Sequence, residues 1–526
     1  MAETAQHKGI GMRFARLFSP SREHSVASAA LLLMIATMLS RVVGALRETY
    51  VAWAFGAGPI TDAYVAAFTL PDLLNYMASG GAISISFISL YTRYLSQNRE
   101  EEASHAFSVI LSVMAVVLTL TIMVLELFAP TFVRIMFTDF NAAQQELCVS
   151  LTRILLPAQL FFLLGGVVAA VQQTKRQFLI PAFAPIVYTL FIVMGGVFLS
   201  GRLGIASLAL GAVAGCMVGP FALNAFGASR TGIGFKFNFL PADPAFREWL
   251  RMSVPLMLGV SIVVADEWIM RHFAAGGEGA ITRLNYAKRL LQVPAGVLGQ
   301  AVGVASLPFF ARLYSENKLN EFAARVNGSI TKLGQLSLLL SAWMIAAAVP
   351  IVDIAFRRGK FDYADTLGTA LFFSWFALAL IFWSVQGLYA RAFFASGEAV
   401  RPMIAATLVT ACSIPVYWFF HEKYGIPGLA IASNLAIFLH TATLALMLHA
   451  RGLVSLGGLD WRELLKTLAI GLFAFLLGSW AGAGFQYGEG RWLVVGKLVM
   501  ISLTWLAAVL AGLWLTKSSL LKLLRR

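Results

Sequence analysis

Residues 29–50 read Ala29-Ala-Leu-Leu-Leu-Met-Ile-Ala-Thr-Met-Leu-Ser-Arg-Val-Val-Gly-Ala-Leu-Arg-Glu-Thr-Tyr50, an apolar run interrupted by Arg41, Arg47 and Glu48. A membrane crossing takes about 20 apolar residues, so the stretch is long enough to span. A charge at bilayer depth costs roughly 3 kcal/mol or more, and such residues therefore face a protein interior or a water-filled cavity. Arg41 and Arg47 stand about one and a half to two turns apart, on broadly one side of a helix. The ligand suited to such a site is an anion, and arginine's planar fork matches phosphate best.

Composition extends this reading to the whole chain. Its 526 residues are 59% hydrophobic and 13% charged, with a mean hydropathy of +0.77. Soluble domains carry about 25% charged residues, so this is an all-α polytopic membrane protein. The net charge of +14 does not point to nucleic acid. The basic residues sit singly in short loops, as orientation rules predict. Cys148, Cys216 and Cys412 lie far apart in or beside apolar segments and read as small buried hydrophobes. The seven histidines show no metal-ligand spacing. Residues 1–25 are mixed polar and basic, without the pattern of a cleavable signal peptide. Within them, Met12-Arg-Phe-Ala-Arg-Leu-Phe reads either as an amphipathic segment on anionic lipid or as a tail.

Breaks at Pro, Gly and charge place spans near 27–50, 59–91, 105–128, 147–170, 181–200 and 204–226. After a polar stretch they resume near 251–274, 281–314, 329–350, 366–390, 402–420, 426–448, 464–484 and 493–516, about fourteen in all. An even count puts both termini on one side, and its loops carry roughly twice the Lys and Arg of the other, which predicts cytoplasmic termini. Arg357-Arg358-Gly359-Lys360 is the exception, since it falls in an outer loop. Either that run has a local role or one of the spans is misplaced.

The halves echo one another at an offset of about 221–223 residues. Gly204-Ile-Ala-Ser-Leu-Ala matches Gly425-Ile-Pro-Gly-Leu-Ala, Pro181 matches Pro402, and Leu70-Pro71 matches Val293-Pro294. Ser89-Leu-Tyr-Thr-Arg-Tyr resembles Ser306-Leu-Pro-Phe-Phe-Ala-Arg-Leu. An offset spanning about six helices keeps the topology of both copies, so the repeats are parallel, with a central cavity expected between them. The expected organisation is a cytoplasmic segment at 1–25, a six-helix lobe at 26–228 and a linker at 229–250. A second six-helix lobe follows at 251–450, and two further helices with the C-terminus occupy 451–526.

The candidate site residues fall on four of these spans. Beyond Arg41, Arg47 and Glu48, Asp62 opens the second span, where it also reads as a helix N-cap. Pro71-Asp72 and Gly80-Gly81 predict that this span is broken, which membranes tolerate where backbone lines a cavity. Asp266-Glu267 lies in the seventh span, where Asp266 is a candidate for a coupling sodium ion or proton and a salt bridge to Arg271 is the rival reading. Lys288-Arg289 sits early in the eighth, and Arg289 with Arg41 and Arg47 is expected to clamp one anion. No Gly-rich loop ending in Gly-Lys-Ser/Thr occurs, and neither a Ser-His-Asp nor a Cys-His arrangement is suggested, so a transporter is expected rather than an enzyme.

Several motifs then carry a family resemblance. They are Ser40-Arg-Val-Val-Gly-Ala-Leu-Arg-Glu, Phe55-Gly-Ala-Gly, Thr61-Asp-Ala-Tyr and Leu70-Pro-Asp-Leu-Leu. Further on come Phe178-Leu-Ile-Pro-Ala-Phe-Ala-Pro, Asn285-Tyr-Ala-Lys-Arg-Leu, Pro294-Ala-Gly-Val-Leu-Gly and Arg358-Gly-Lys-Phe. Together they resemble the MurJ (MviN) lipid II flippases of the multidrug/oligosaccharidyl-lipid/polysaccharide exporter superfamily. The resemblance implies two parallel lobes plus two C-terminal helices in a bacterial inner membrane. It also implies export of undecaprenyl-diphosphate-linked disaccharide-pentapeptide for peptidoglycan synthesis, with Arg41, Arg47, Asp62 and Arg289 at the cavity. Glu48 stands where the family usually has Asp. Two departures matter more. Asp72 replaces the Asn of Pro-Asn-Leu-Leu, and Asn75-Tyr76 stands where an Arg-Arg pair is usual. Gln292 stands where the family tends to be acidic.

The first expectation is thus a lipid II flippase working by alternating access, coupled to Na+ or H+ or to the membrane potential. A flippase for another polyprenyl-diphosphate-linked glycan and a multidrug exporter of the same superfamily are the alternatives. A membrane scaffold recruiting cell-wall synthesis proteins is a third class.

Overall fold

Helices make up the structure, a computed structural model that describes residues 26–79, 82–257, 262–398, 400–483 and 490–524. No strand occurs among the described residues. The first helices are α1 Val26–Phe55, α2 Pro59–Ala67, α3 Thr69–Ser79, α4 Ala82–Ser96, α5 Glu100–Met136, α6 Ala142–Thr174, α7 Leu179–Leu203, α8 Ala206–Ser229 and α9 Pro244–Met257. Then come α10 Ile262–Phe273, α11 Ala280–Ser315, α12 Leu319–Ala346, α13 Ala348–Phe356, α14 Tyr363–Leu378 and α15 Leu380–Ala395. The last are α16 Val400–Tyr424, α17 Ile426–Ala450, α18 Trp461–Ala483, α19 Arg491–Leu515 and α20 Ser519–Leu524. The Met12–Phe18 stretch, Gly80-Gly81 and the basic ends Lys8, Arg13, Arg16, Arg22, Arg525 and Arg526 lie outside the described residues.

Among the described residues nine helices are long and apolar enough to cross a membrane, and the pair α14–α15, bent by 45°, makes a tenth span. The segments read as spans that are not among these ten, at 27–50, 59–91, 251–274 and 281–314, hold every candidate site residue.

At some of the irregular points in these helices a side chain bonds the backbone, as a water-free surrounding favours. Pro71 cannot donate to Ala67 O, and the span breaks there into α2 and α3. Thr152 Oγ1 donates to that carbonyl instead, at 3.3 Å. In α8, Pro220 sits in a π-helical stretch, Met217–Leu223, and Asn224 Nδ2 donates to Pro220 O at 2.7 Å. The α14–α15 bend has no proline, yet Ser341 Oγ donates to Ala377 O at 2.7 Å beside it. Pro294, the repeat partner of Pro71, leaves α11 continuous.

The chain divides into two compact units. The first takes the residues up to Val51 and Pro59–Leu258. In it α6 is central, packing on α2, α3, α4, α5 and α8 around Phe87, Phe107 and Val167. The stretch expected as a linker at 229–250 belongs to this unit. Arg93 forks onto Glu248 at 2.6 and 2.7 Å, which holds the Glu248 carboxyl below the usual range, and Trp249 Nε1 donates to Ile83 O at 3.3 Å.

The second unit takes Ala52–Gly58 and Gly259–Arg526. The tail expected as a separate 451–526 region is part of it, with α18 packed along α12. Buried Glu463 at the start of α18 accepts from Ser518 Oγ at 2.7 Å and Ser519 N at 2.9 Å, and pairs with Lys466 at 2.8 Å. Those bonds tie α20 to α18.

Ala52–Gly58 joins this unit through the loop that broke the charge rule. Lys360 N donates to Trp53 O at 3.0 Å. Arg357 pairs with Asp353 at 2.9 Å, and Arg358 Nη2 caps Ile354 O at 3.2 Å. These basic residues thus have local tasks at the end of α13. Gly359 has φ +58, and a Cβ there would run into Trp53 O. Gly56, φ +72, would place a Cβ 2.8 Å from Lys360 O. Gly359→Ala should destabilise the protein in a detergent melt by about 1–2 kcal/mol for left-handed backbone, plus an overpacking cost of about 1–3 kcal/mol. Gly452→Ala, at φ +70 with open space around it, should show only the first loss.

Candidate functional site

Each unit gathers charge in its own interior. In the first, Arg47 and Glu48 of α1 form an ion pair, with the arginine side chain 23% exposed. Tyr64 of α2 and Tyr188 of α7 stand within electrostatic reach of that guanidinium, and Asp72 within reach of Tyr188. Asp62 is buried in the first turn of α2, and Asp72 sits in the first turn of α3. Carboxylates there face the positive ends of the two short helices. Asn75 Oδ1, one turn further, is buried with no hydrogen-bond partner among the described residues. Arg41 is half-buried on α1. The net basic character expected of the site is absent from this cluster, since Arg41 and Arg47 share it with Glu48, Asp62 and Asp72.

The second unit supplies the positive excess. Asp266 on α10 is 1% exposed and meets the Lys288 ammonium of α11, itself 4% exposed, while Tyr417 of α16 donates its hydroxyl to the other oxygen. Lys288 also lies 5.3 Å from the Trp383 ring centroid. The carboxylate read as a candidate sodium or proton site is thus engaged by a tethered cation. Arg271, its rival partner by sequence, goes one residue along to Glu267 at 3.5 Å. Glu267 is shared: Arg289 lies 3.9 Å from the same oxygen, and Gln292 Nε2 donates to the other at 3.3 Å. Gln292 Oε1 in turn accepts from Arg289 Nη1 at 3.2 Å.

Two guanidiniums therefore face one carboxylate. The Arg289 side chain is 39% exposed, and its buried Nε has no hydrogen-bond partner among the described residues. A small void of about 20 Å³ lies beside this network, lined by Glu267, Arg271, Asn285 and Lys288. That is room for one water molecule. No group of three or more His, Cys, Asp or Glu side chains fit for a metal occurs among the described residues.

Sequence reasoning named Arg289 and Gln292 but left Lys288, Arg271, Tyr417, Tyr64 and Tyr188 out of the site. Lys288 had a readable signal, a cation beside Arg289 within an apolar run. The tyrosines had none, because their partners lie on other helices.

The family model described as "Lipid II flippase MurJ" matches residues 51–504. A "Probable lipid II flippase MurJ" of Rhizobium tropici is 28% identical over 432 residues, covering 79% of this chain and 80% of that protein. The "Lipid II flippase MurJ" of Burkholderia cenocepacia is 26% identical over 479 residues, covering 89% of this chain and 92% of its own length. Among solved structures, a lipid II flippase MurJ in an inward closed conformation aligns with a TM-score of 0.75 at 22% identity, over 91% of this chain and 98% of that one. An inward-facing multidrug resistance transporter of the MATE family aligns with a TM-score of 0.63 at 14% identity, over 81% of this chain and 98% of that one. The structural likenesses bear on the fold.

The buried pair has a measurable consequence. Asp266→Asn or Lys288→Met alone strands one charge in the interior and should cost about 3–5 kcal/mol. The double variant removes both charges and should recover most of that loss. Thermal melts of the three proteins in one detergent test this, and equal losses in single and double variants would refute it.

Proposed function

The chain belongs to the lipid II flippase family, and from that premise we propose that it carries lipid II from the inner to the outer leaflet of a bacterial inner membrane by alternating access. The lipid is undecaprenyl diphosphate bearing the disaccharide-pentapeptide of peptidoglycan. Both termini are cytoplasmic in this reading, which the loop Lys and Arg asymmetry supports.

The observation that supports the anion most directly is the sharing of Glu267 by Arg271 and Arg289. Arg289 is half-exposed and its Nε is unsatisfied among the described residues. A diphosphate oxygen answers that need, since guanidinium–phosphate bonds are charge-assisted and geometrically matched. Within the first unit Arg47 has a partly exposed guanidinium of the same kind, and the Asn75 Oδ1 acceptor suits a sugar hydroxyl or amide N–H of the glycan-peptide. Asn75-Tyr76 in place of two arginines shifts the burden of holding the diphosphate to Arg289.

The energy source is a Na+ or H+ gradient or the membrane potential, the last worth about 2.3 kcal/mol per charge per 100 mV. No further protein partner is needed for this reading.

In cells where this chain is the sole flippase, lipid II should become accessible to a reagent at the outer face. Each charge-assisted bond is worth about 1.5–3 kcal/mol, so Arg289→Ala should lower that accessibility about ten-fold or more, and Arg47→Ala combined with it further. Full transport by the double variant, at wild-type expression, would defeat the diphosphate reading.

A further inference from the structure

The hairpin of α11 and α12 keeps an open basic pocket remote in sequence from the residues above. Its two arms meet through Glu316–Lys318, and a cavity of about 400 Å³ opens between them. It is lined by Ser306 and Phe309 of α11 and by Ala324, Arg325, Ser329 and Lys332 of α12, and no carboxylate is among its lining residues. Arg325, Ser329 and Lys332 recur at helical spacing, so they share one face. Arg325 also sits 5.9 Å from the Phe309 ring centroid.

The first unit builds the corresponding hairpin from α4 and α5. The two turns match at Asn98 and Asn317, both at positive φ, which sets His105 at Ala324, Ala106 at Arg325, Ile110 at Ser329 and Val113 at Lys332. Ala106, Ile110 and Val113 are buried apolar side chains, whereas Arg325 and Lys332 are exposed. The face that is packed and apolar in the first unit is therefore open and cationic in the second, and its complement is an anion.

Depth and flanking chemistry make that anion part of a lipid. The lining residues lie about 10–20 Å along the helices from the charged turn, the level at which α12 enters hydrocarbon if its 28 residues overhang the roughly 20 needed to span. Three turns deeper on the same face, Leu336 is 39% exposed, and Phe309 beside the pocket is 56% exposed. A charged head and an apolar tail would each find its match. Basic pockets between membrane helices bind anionic headgroups in this way.

We propose that this pocket seats the phosphate of an anionic phospholipid, with Arg325 and Lys332 as the cationic contacts and an acyl chain along Leu336. The site does not depend on which lipid is transported. Delipidated full-length protein in detergent, titrated by native mass spectrometry with phosphatidylglycerol, phosphatidylcholine, undecaprenyl diphosphate and inorganic phosphate, tests it. The wild type should hold phosphatidylglycerol over phosphatidylcholine, and Arg325→Gln with Lys332→Gln should weaken the former about five-fold per residue, leaving the latter unchanged. Ala324→Phe, which narrows the cavity and keeps both cations, should give a comparable loss without removing charge. Arg134→Ala, on α5, should behave as wild type. Unchanged phosphatidylglycerol binding in the double variant or in Ala324→Phe overturns the proposal. So does displacement of phosphatidylglycerol by undecaprenyl diphosphate or by inorganic phosphate at equal concentration.

Discussion

A fixed charge inside a bilayer has to be met by an opposite charge, by hydrogen bonds or by a ligand, because no water is there to solvate it. The second unit shows both ways of meeting the requirement within one turn of α10. Asp266 is met by a lysine and a tyrosine from two other helices. Glu267, its neighbour, is oversubscribed by two arginines. The first arrangement is neutral and closed, and so acts as part of the frame. The second leaves Arg289 partly exposed, with its Nε unsatisfied among the described residues. A transporter needs that division: charges that hold helices together cannot be the ones that let go of a substrate.

The same accounting governs the backbone. Breaking a helix in hydrocarbon exposes carbonyls, and each break described here has a donor placed against it. Thr152 reaches Ala67 O from another helix, Asn224 turns back onto Pro220 O, and Ser341 supports the bend after Ala377. The short helices α2 and α3 that result have two N-termini inside the first unit, and Asp62 and Asp72 sit in their first turns. Those carboxylates belong to the cost of the break as much as to any ligand. Arg47, paired within its own helix to Glu48, keeps a side chain that is partly exposed.

What the sequence disclosed follows from the range of the signals. Arg41 and Arg47 within an apolar run, the break at Pro71 and the half-to-half offset are local or periodic, and they marked the membrane class, the duplicated frame and the helices that carry charge. Pairings were not legible, because they join distant positions: Tyr417 reaches Asp266 across 151 residues, and Arg283 reaches Asp365 across 82. Adjacent carboxylates at 266 and 267 looked like one feature and proved to be two, since neighbours on a helix point about 100° apart. The contacts of the polar stretch were not legible for the same reason. Residues 229–250 are polar and read as a linker, but Arg93, Ser108, Ser112 and Ile83 provide partners that hold them on the first unit.

Duplication gives both units one frame and leaves their side chains free to diverge. The 25-residue helices α7 and α16 correspond, as do α8 and α17, and the single span α6 has the bent pair α14–α15 as its counterpart. Charge does not follow that correspondence. Arg289 occupies the position relative to Pro294 that Ala66 occupies relative to Pro71, and Pro294 leaves its helix unbroken where Pro71 divides one. The first unit pairs Arg47 with a carboxylate on its own helix, whereas in the second two arginines meet one carboxylate. Divergence of the charged positions on an unchanged backbone thus lets a duplicated chain carry a different arrangement of charge in each unit.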